Sequence, residues 1–263
     1  TYKARDTFTY YVKEDSQKPG YEENTTVYRV KVDVSNEADN GHLTVNPRID
    51  GVKTGEGSFT SSATDTLDFE NTYTAIEEVS LTGTKNVLGG NQEDGFEFGI
   101  YTDEAMETLA EEGYSQENPD ARVDANVVTN TNGSFEFNLH FTMDDLKQDD
   151  GSYAKEADYT FYIRELTEPA EGSGYAKNTI AYKVDYHLTD DTEGNLTAKC
   201  VNIQSKDLAD PEADWQAAEA VSFTNQFNAE GSLDISAVKV LTGTALEEGD
   251  FTFTLTGDGV NQS

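Results

Sequence analysis

Hydrophobic residues along this chain alternate with polar ones far more often than they recur at helical spacing, the pattern of strands with one buried face. Tyr28, Val30, Val32 and Val34 share one parity, and Arg29, Lys31 and Asp33 take the other. Phe135, Phe137, Leu139 and Phe141 do the same. Turn clusters separate the runs: Asn40-Gly41, Asn130-Thr-Asn-Gly133, Asp150-Gly151 and Glu193-Gly-Asn195. Two short stretches, Asp103 to Glu112 and Pro211 to Ala220, have helical character and sit between strand runs, so they are expected as helical loop insertions. Many short strands of this kind predict an all-β fold built as an antiparallel sandwich.

The pattern also repeats. Phe8-Thr-Tyr-Tyr-Val-Lys-Glu14 recurs as Tyr159-Thr-Phe-Tyr-Ile-Arg-Glu165, and Gly20-Tyr21 as Gly174-Tyr175. Phe69-Glu-Asn71-Thr-Tyr73 recurs as Phe223-Thr-Asn225-Gln-Phe227, and Lys85-Asn-Val-Leu-Gly89 is echoed by Lys239-Val-Leu-Thr-Gly243. The spacing is 151 residues for the glutamates and 154 for the asparagines and lysines. A near-constant period over several blocks predicts tandem domains. In that frame residues 1–75 are the second half of one domain, 76–228 a whole domain, and 229–263 the start of a third, so the chain reads as an internal piece of something longer.

Parity then exposes an anomaly. Leu81 and Gly83 lead on the inward face to Lys85, Phe161 and Ile163 to Glu165, and Phe223 to Asn225. The other copies agree, with Glu14 after Tyr10 and Val12, Asn71 after Phe69, and Lys239 after Ala237. Burying an unpaired ammonium or carboxylate costs several kcal/mol, so such groups pair or neutralise. Two readings follow. One is a buried Lys–Glu ion pair with a hydrogen-bonded asparagine. The other is covalent: burial makes lysine a neutral nucleophile and keeps glutamate protonated, able to polarise the asparagine carbonyl and shuttle protons. Attack on the asparagine side chain would expel ammonia and leave a Lys–Asn isopeptide bond, a single event rather than turnover.

Composition narrows the function classes. The 51 acidic residues outnumber 18 basic ones, leaving a net charge of −33 over 263 residues. Such a surface repels phosphate backbones and anionic lipids, which argues against nucleic-acid or membrane-surface partners. No apolar run approaches the length of a transmembrane helix. A single cysteine, Cys200, excludes an internal disulfide and a thiolate metal site. His42, His140 and His187 share no metal spacing and are expected at the surface or rim. Asp190 to Asn195 has a glycine where a calcium loop wants one but lacks the closing glutamate, so it is read as a hairpin turn. Trp215 is expected to anchor its own loop. No metal or cofactor is called for.

Taken together, Lys85-Asn-Val-Leu-Gly89 with Phe96-Glu-Phe98, then Tyr159 to Glu165, then Phe223-Thr-Asn225 resemble the isopeptide-containing pilin domain of Gram-positive major pilus subunits, a relative of the Cna B-type domains. The resemblance implies tandem immunoglobulin-like sandwiches in which Lys85 and Asn225 are bonded and Glu165 is the proton shuttle. Glu14, Asn71 and Lys239 are the equivalents in partial copies. It also implies a stalk on the outside of a cell-wall-anchored surface protein, with neighbouring repeats, other pilin subunits or a host ligand as partners. No LPxTG-type sorting signal or Tyr-Pro-Lys pilin motif is present in these residues. The alternative function is an adhesin whose insertions, 102–121 and 205–220, bind a host protein or glycan.

Overall fold

The computed structural model describes residues 6–262 except 16, 37–40, 63, 116, 119, 229–230, 232–233, 246 and 258–259. Asn40 of the Asn40-Gly41 turn lies outside the described residues. The chain divides into two units, Thr1–Asn228 and Ala229–Ser263. The first contains strands β1 (Asp6–Lys13), β2 (Thr26–Ser35), β3 (Thr44–Thr54), β4 (Ile76–Leu88), β5 (Glu97–Tyr101), β6 (Val127–Thr129), β7 (Ser134–Thr142), β8 (Glu156–Glu165), β9 (Ile180–Asp190), β10 (Leu196–Asp207), β11 (Gln216–Ala217) and β12 (Val221–Gln226). The second contains a small hairpin of β13 (Leu255–Gly257) and β14 (Val260–Gln262).

Strands β4 to β12 form a sandwich. One sheet has the order β12-β4-β7 and the other β11-β10-β9-β8-β5-β6. Their alternating inward residues meet in one aromatic core of Phe98, Phe135, Phe137, Phe141, Phe161, Tyr186 and Phe223, filled in by Leu81, Leu139, Ile163 and Val184. Phe98 stacks on Phe135 at 3.9 Å between ring centroids. Gly83 makes room for this ring, because a Cβ there would lie 2.1 Å from Phe135 Cζ. The Asn130–Gly133 cluster forms its turn with Asn132 and Gly133 at φ of 51° and 77°, the left-handed geometry such turns demand.

The all-β, immunoglobulin-like reading holds, with two corrections. First, the sheets are not wholly antiparallel: β12 runs parallel to β4, Phe223 opposite Lys85 and Asn225 opposite Val87. The first and last strands of the sandwich are thereby neighbours. Second, the two helical insertions are not helices. In 103–112 the Asp103 carboxylate accepts the backbone N–H groups of Glu107 and Thr108, and Met106 takes a positive φ of 53°, which ends any helical run. In 211–220 the edge of β10 captures Gln216 and Ala217 as β11. Among the described residues the single regular turn of helix is a 3₁₀ turn at Met143–Leu146. Both loops instead cover the outer face of β8 and β9. Met106 packs with Tyr101, Tyr162 and Ala181, joined by Trp215, whose Nε1 donates to Glu104 at 2.8 Å.

Residues 6–75 carry a three-stranded antiparallel sheet, β1-β2-β3. Its pairing copies that of β8 and β9: Phe8 opposite Val32 corresponds to Tyr159 opposite Tyr186. This portion meets the β9–β10 turn through Tyr73, whose hydroxyl donates to Asp190 Oδ1 at 2.5 Å and accepts the Gly194 N–H at 2.9 Å. Gly20 and Gly194 touch there; a Cβ on Gly194 would sit 2.6 Å from Gly20 Cα.

Candidate functional site

Three polar side chains lie in the aromatic core. Lys85 comes from β4, Asn225 from the adjacent parallel β12, and Glu165 from β8 in the facing sheet. Each is where its strand parity puts it, and each is sealed from water, with residue exposures of 1%, 1% and 7% for Lys85, Asn225 and Glu165. Lys85 is pinned on both sides: β12 pairs with it on one, and its backbone N–H donates to Gly133 O at 2.9 Å on the other. Because Asn225 lies two residues further along β12 than the partner of Lys85, the two side chains share one face on a diagonal.

The Lys85 amine sits 3.8 Å from the centre of the Phe96 ring and 3.5 Å from Glu165 Oε2. A charge-assisted hydrogen bond would be closer to 2.8 Å, so this is a loose ion pair at most. Burial pushes the Lys85 pKa down, only partly opposed by Glu165. It pushes Glu165 up, opposed by the Asn225 hydrogen bond and by Lys85. Both shifts favour a neutral amine beside a protonated carboxyl. Asn225 Nδ2 donates to Glu165 Oε1 at 2.7 Å. The glutamate therefore faces both nitrogens, that of the amine and that of the amide, and the carbonyl-polarising contact expected of it is absent.

That contact belongs to a residue strand parity does not reveal. Asn178 Nδ2 donates to Asn225 Oδ1 at 2.8 Å and to Thr224 O at 3.1 Å, which identifies the oxygen side of the Asn225 amide. The Asn178 oxygen accepts the Ile180 N–H at 2.9 Å, locking the side chain. The segment leading to it is held along the end of β12. Gly174, at φ 84°, allows the Tyr175–Phe227 bridge, and a Cβ there would lie 2.8 Å from both Phe227 Cε2 and Asn228 O. Ala176 N–H then donates to Gln226 O. A sequence signal exists: Gly174-Tyr-x-x-Asn178-Thr matches Gly20-Tyr-x-x-Asn24-Thr at the same 154-residue spacing.

The copy in residues 6–75 has three of these hydrogen bonds, without one from Asn24 to the Asn71 oxygen. Asn71 Nδ2 donates to Glu14 Oε1 at 2.9 Å, Asn24 Nδ2 donates to Glu70 O at 2.7 Å, and Asn24 Oδ1 accepts the Thr26 N–H at 2.9 Å. Here Asn71 is exposed, and the pair borders an open groove of about 310 Å³ lined by Lys18, Tyr21 and Glu22. Lys239, in the second unit, lies 4.4 Å from the centre of the Phe251 ring.

The residues set aside earlier also have definite places. His187 is partly exposed and pairs with Asp158. His140 departs from the expected surface position: it is buried, stacked on Tyr114 at 3.9 Å, with Nε2 2.7 Å from Asp124. The Asp191 carboxylate caps the 191–195 turn, accepting the backbone N–H groups of Glu193 and Asn195 and the Asn195 side-chain amide, as in a hairpin turn. Cys200 is exposed, although partial desolvation of its sulfur raises its thiol pKa. Among the described residues no cluster of His, Cys, Asp or Glu has the arrangement of a metal site. Nor is any helix long and apolar enough to cross a membrane.

Comparison with known proteins bears on this geometry. The family model described as a Spy0128-like isopeptide containing domain matches residues 1–74 and 81–228. Among solved structures, an asparagine-to-alanine mutant of the major pilin from Streptococcus pyogenes is 17% identical, with 86% of this chain and 72% of that one covered and a TM-score of 0.20. The T3.2 major pilin protein, also from Streptococcus pyogenes, is 16% identical over 86% of this chain and 69% of that one, with a TM-score of 0.21. No curated protein matches.

Proposed function

The chain belongs to the Spy0128-like isopeptide containing domain family, and from that premise we propose that it is a shaft segment of a pilus or stalk on a Gram-positive cell, stiffened by an autocatalytic bond between Lys85 and Asn225. The observation that carries this is the sealed cluster of amine, carboxyl and carboxamide spanning the first and last strands of the sandwich. A buried lysine held 3.5 Å from a carboxyl makes a poor ion pair but a good nucleophile once neutral. Glu165 touches the nitrogen that must lose a proton and the nitrogen that must gain one, which is the position of a proton shuttle.

The mechanical logic follows from topology. Tension enters the sandwich at the start of β4 and leaves at the end of β12, two adjacent parallel strands. Unlinked, they resist only by hydrogen bonds and packing. A bond from Lys85 to Asn225 carries the load directly and takes residues 86–224 out of the path. On this reading residues 76–228 are one complete repeat of a tandem array, and Glu14, Asn24 and Asn71 belong to a neighbouring one. The partners are adjacent repeats and other pilin subunits, and the place is the extracellular face of the cell wall. The loops 102–121 and 205–220 put Met106 and Trp215 into covering β8 and β9, packing that serves the fold and gives the adhesin reading no specific support.

Intact mass tests the bond. The wild-type chain should weigh about 17 Da less than its sequence, one ammonia per bond, and digestion should yield one branched peptide joining Lys85 to Asn225. A full-mass wild-type chain would refute the covalent reading.

A further inference from the structure

Nothing in the roles given to Lys85, Glu165 and Asn225 accounts for the oxygen of the reacting amide. When an amine adds to an amide carbon, negative charge develops on that oxygen, and a donor aimed at it accelerates the step most where water is excluded. Glu165 does not serve there, because its Oε1 accepts from Asn225 Nδ2 and its Oε2 faces Lys85. Asn178 does face it, with Nδ2 2.8 Å from Asn225 Oδ1.

We propose that Asn178 is a catalytic residue of the cross-linking step, the donor that holds the oxyanion formed on Asn225. The inference rests on the covalent reading above. Three observations carry it. The donor is within hydrogen-bond distance of the reacting oxygen. It is preorganised, because Oδ1 is tied to the Ile180 N–H and Nδ2 also to Thr224 O, so no reorientation is needed as charge develops. And the carboxamide contact is additional to the turn: Asn24 makes the corresponding bonds to the Glu70 carbonyl and the Thr26 N–H beside the second Glu–Asn pair, Glu14 and Asn71, without a bond to the Asn71 oxygen. A loop asparagine serving only as a turn would need its oxygen on the backbone; it would not need its amide on the neighbouring carboxamide.

The chemistry balances without any external reagent. Neutral Lys85 Nζ attacks Asn225 Cγ, a C–N bond forms, and the C=O electron pair moves to Oδ1, facing Asn178 Nδ2. Glu165, protonated at the outset, gives its proton to Asn225 Nδ2 and takes one from the former lysine nitrogen, ending protonated again. The Cγ–Nδ2 bond then breaks, the oxyanion collapses, and ammonia leaves with the Lys85–Asn225 amide as product.

The test compares wild type, Asn178→Asp and Asn178→Ala by time-resolved intact mass, with melting curves to establish folding. Wild type should already lack about 17 Da at isolation. Both variants should be isolated largely at full mass and react about 10²-fold more slowly or worse, the usual cost of one missing oxyanion donor. Asn178→Asp adds a readout that a purely structural role would not move. It keeps the acceptor for the Ile180 N–H but turns a carboxylate oxygen toward the carbonyl. Acidification should therefore accelerate it relative to Asn178→Ala at the same pH, as the carboxyl gains a proton to donate. Folded variants that carry the full deficit at isolation would overturn the proposal, as would an aspartate variant with no acid recovery relative to alanine. If the aspartate variant does not fold, the alanine variant decides by rate. A wild-type chain without the deficit would instead overturn the covalent reading itself.

Discussion

Replacing Lys85 with methionine isolates what the cross-link contributes. Methionine is unbranched and close to lysine in length, so it fills the space under Phe96 and among the core rings with little cavity. It removes the nucleophile and leaves the Asn225–Glu165 hydrogen bond in place. Burial already pushes the Glu165 pKa up, and losing Lys85 removes a charge that opposed the rise, which favours the neutral carboxyl over an orphaned charge. The expected loss is then mainly that of the link. A bond between residues 85 and 225 closes a loop of well over a hundred residues, and the loop-entropy relation used for disulfides gives about 5 kcal/mol. On a domain of this size each kcal/mol moves Tm by roughly 2–4 °C, so Lys85→Met should melt about 10–20 °C below wild type. Calorimetry on both chains, with intact mass to establish that one is linked and the other is not, provides the measurement. A linked wild type and an unlinked variant melting within about 3 °C of each other would refute the loop-closure argument.

Three further outcomes follow from the same structure. In Asn225→Ala, which keeps Lys85 and Glu165 but cannot react, the unfolded chain holds a lysine proton up to pH 10.5 that the folded chain gives up earlier. Stability should therefore rise with pH through that window, and fall as pH climbs from 4.5 through the raised value of Glu165, where the folded chain holds the extra proton; denaturant midpoints that show no alkaline rise beyond that of Lys85→Met would contradict the burial argument. Gly83→Ala should cost about 1–3 kcal/mol by driving a methyl group into the Phe135 ring, 2.1 Å away, and an unchanged melting curve would mean the ring has somewhere else to go. Under single-molecule tension, unfolding of Lys85→Met should release a contour length of about 490 Å, from the segment between residues 85 and 225 at roughly 3.5 Å per residue, which the wild-type chain should not release.

Much of this was readable before any coordinates, and the reason is local. A strand turns over every second residue, so a lysine, a glutamate or an asparagine in register with phenylalanines must point where they point. Lys85, Glu165 and Asn225 could be assigned to the core from parity alone, and the repeat at 151 to 154 residues marked their copies. The misread stretches failed for a non-local reason. Asp103 to Glu112 and Pro211 to Ala220 have helical spacing, but a carboxylate capturing two N–H groups and the free edge of β10 prevail over a helix too short to be stable by itself.

What the amino-acid pattern determined by itself is which side chains enter the core, because burial follows a two-residue period within each strand. What the tertiary structure decided is who meets whom inside it. The parallel docking of β12 on β4 makes the first and last strands neighbours. The facing sheet brings Glu165 to both nitrogens. Asn178 reaches the Asn225 oxygen from a loop, where no periodicity exists to signal direction, and hydrogen bonds to the end of β12, rather than any alternation, set its place.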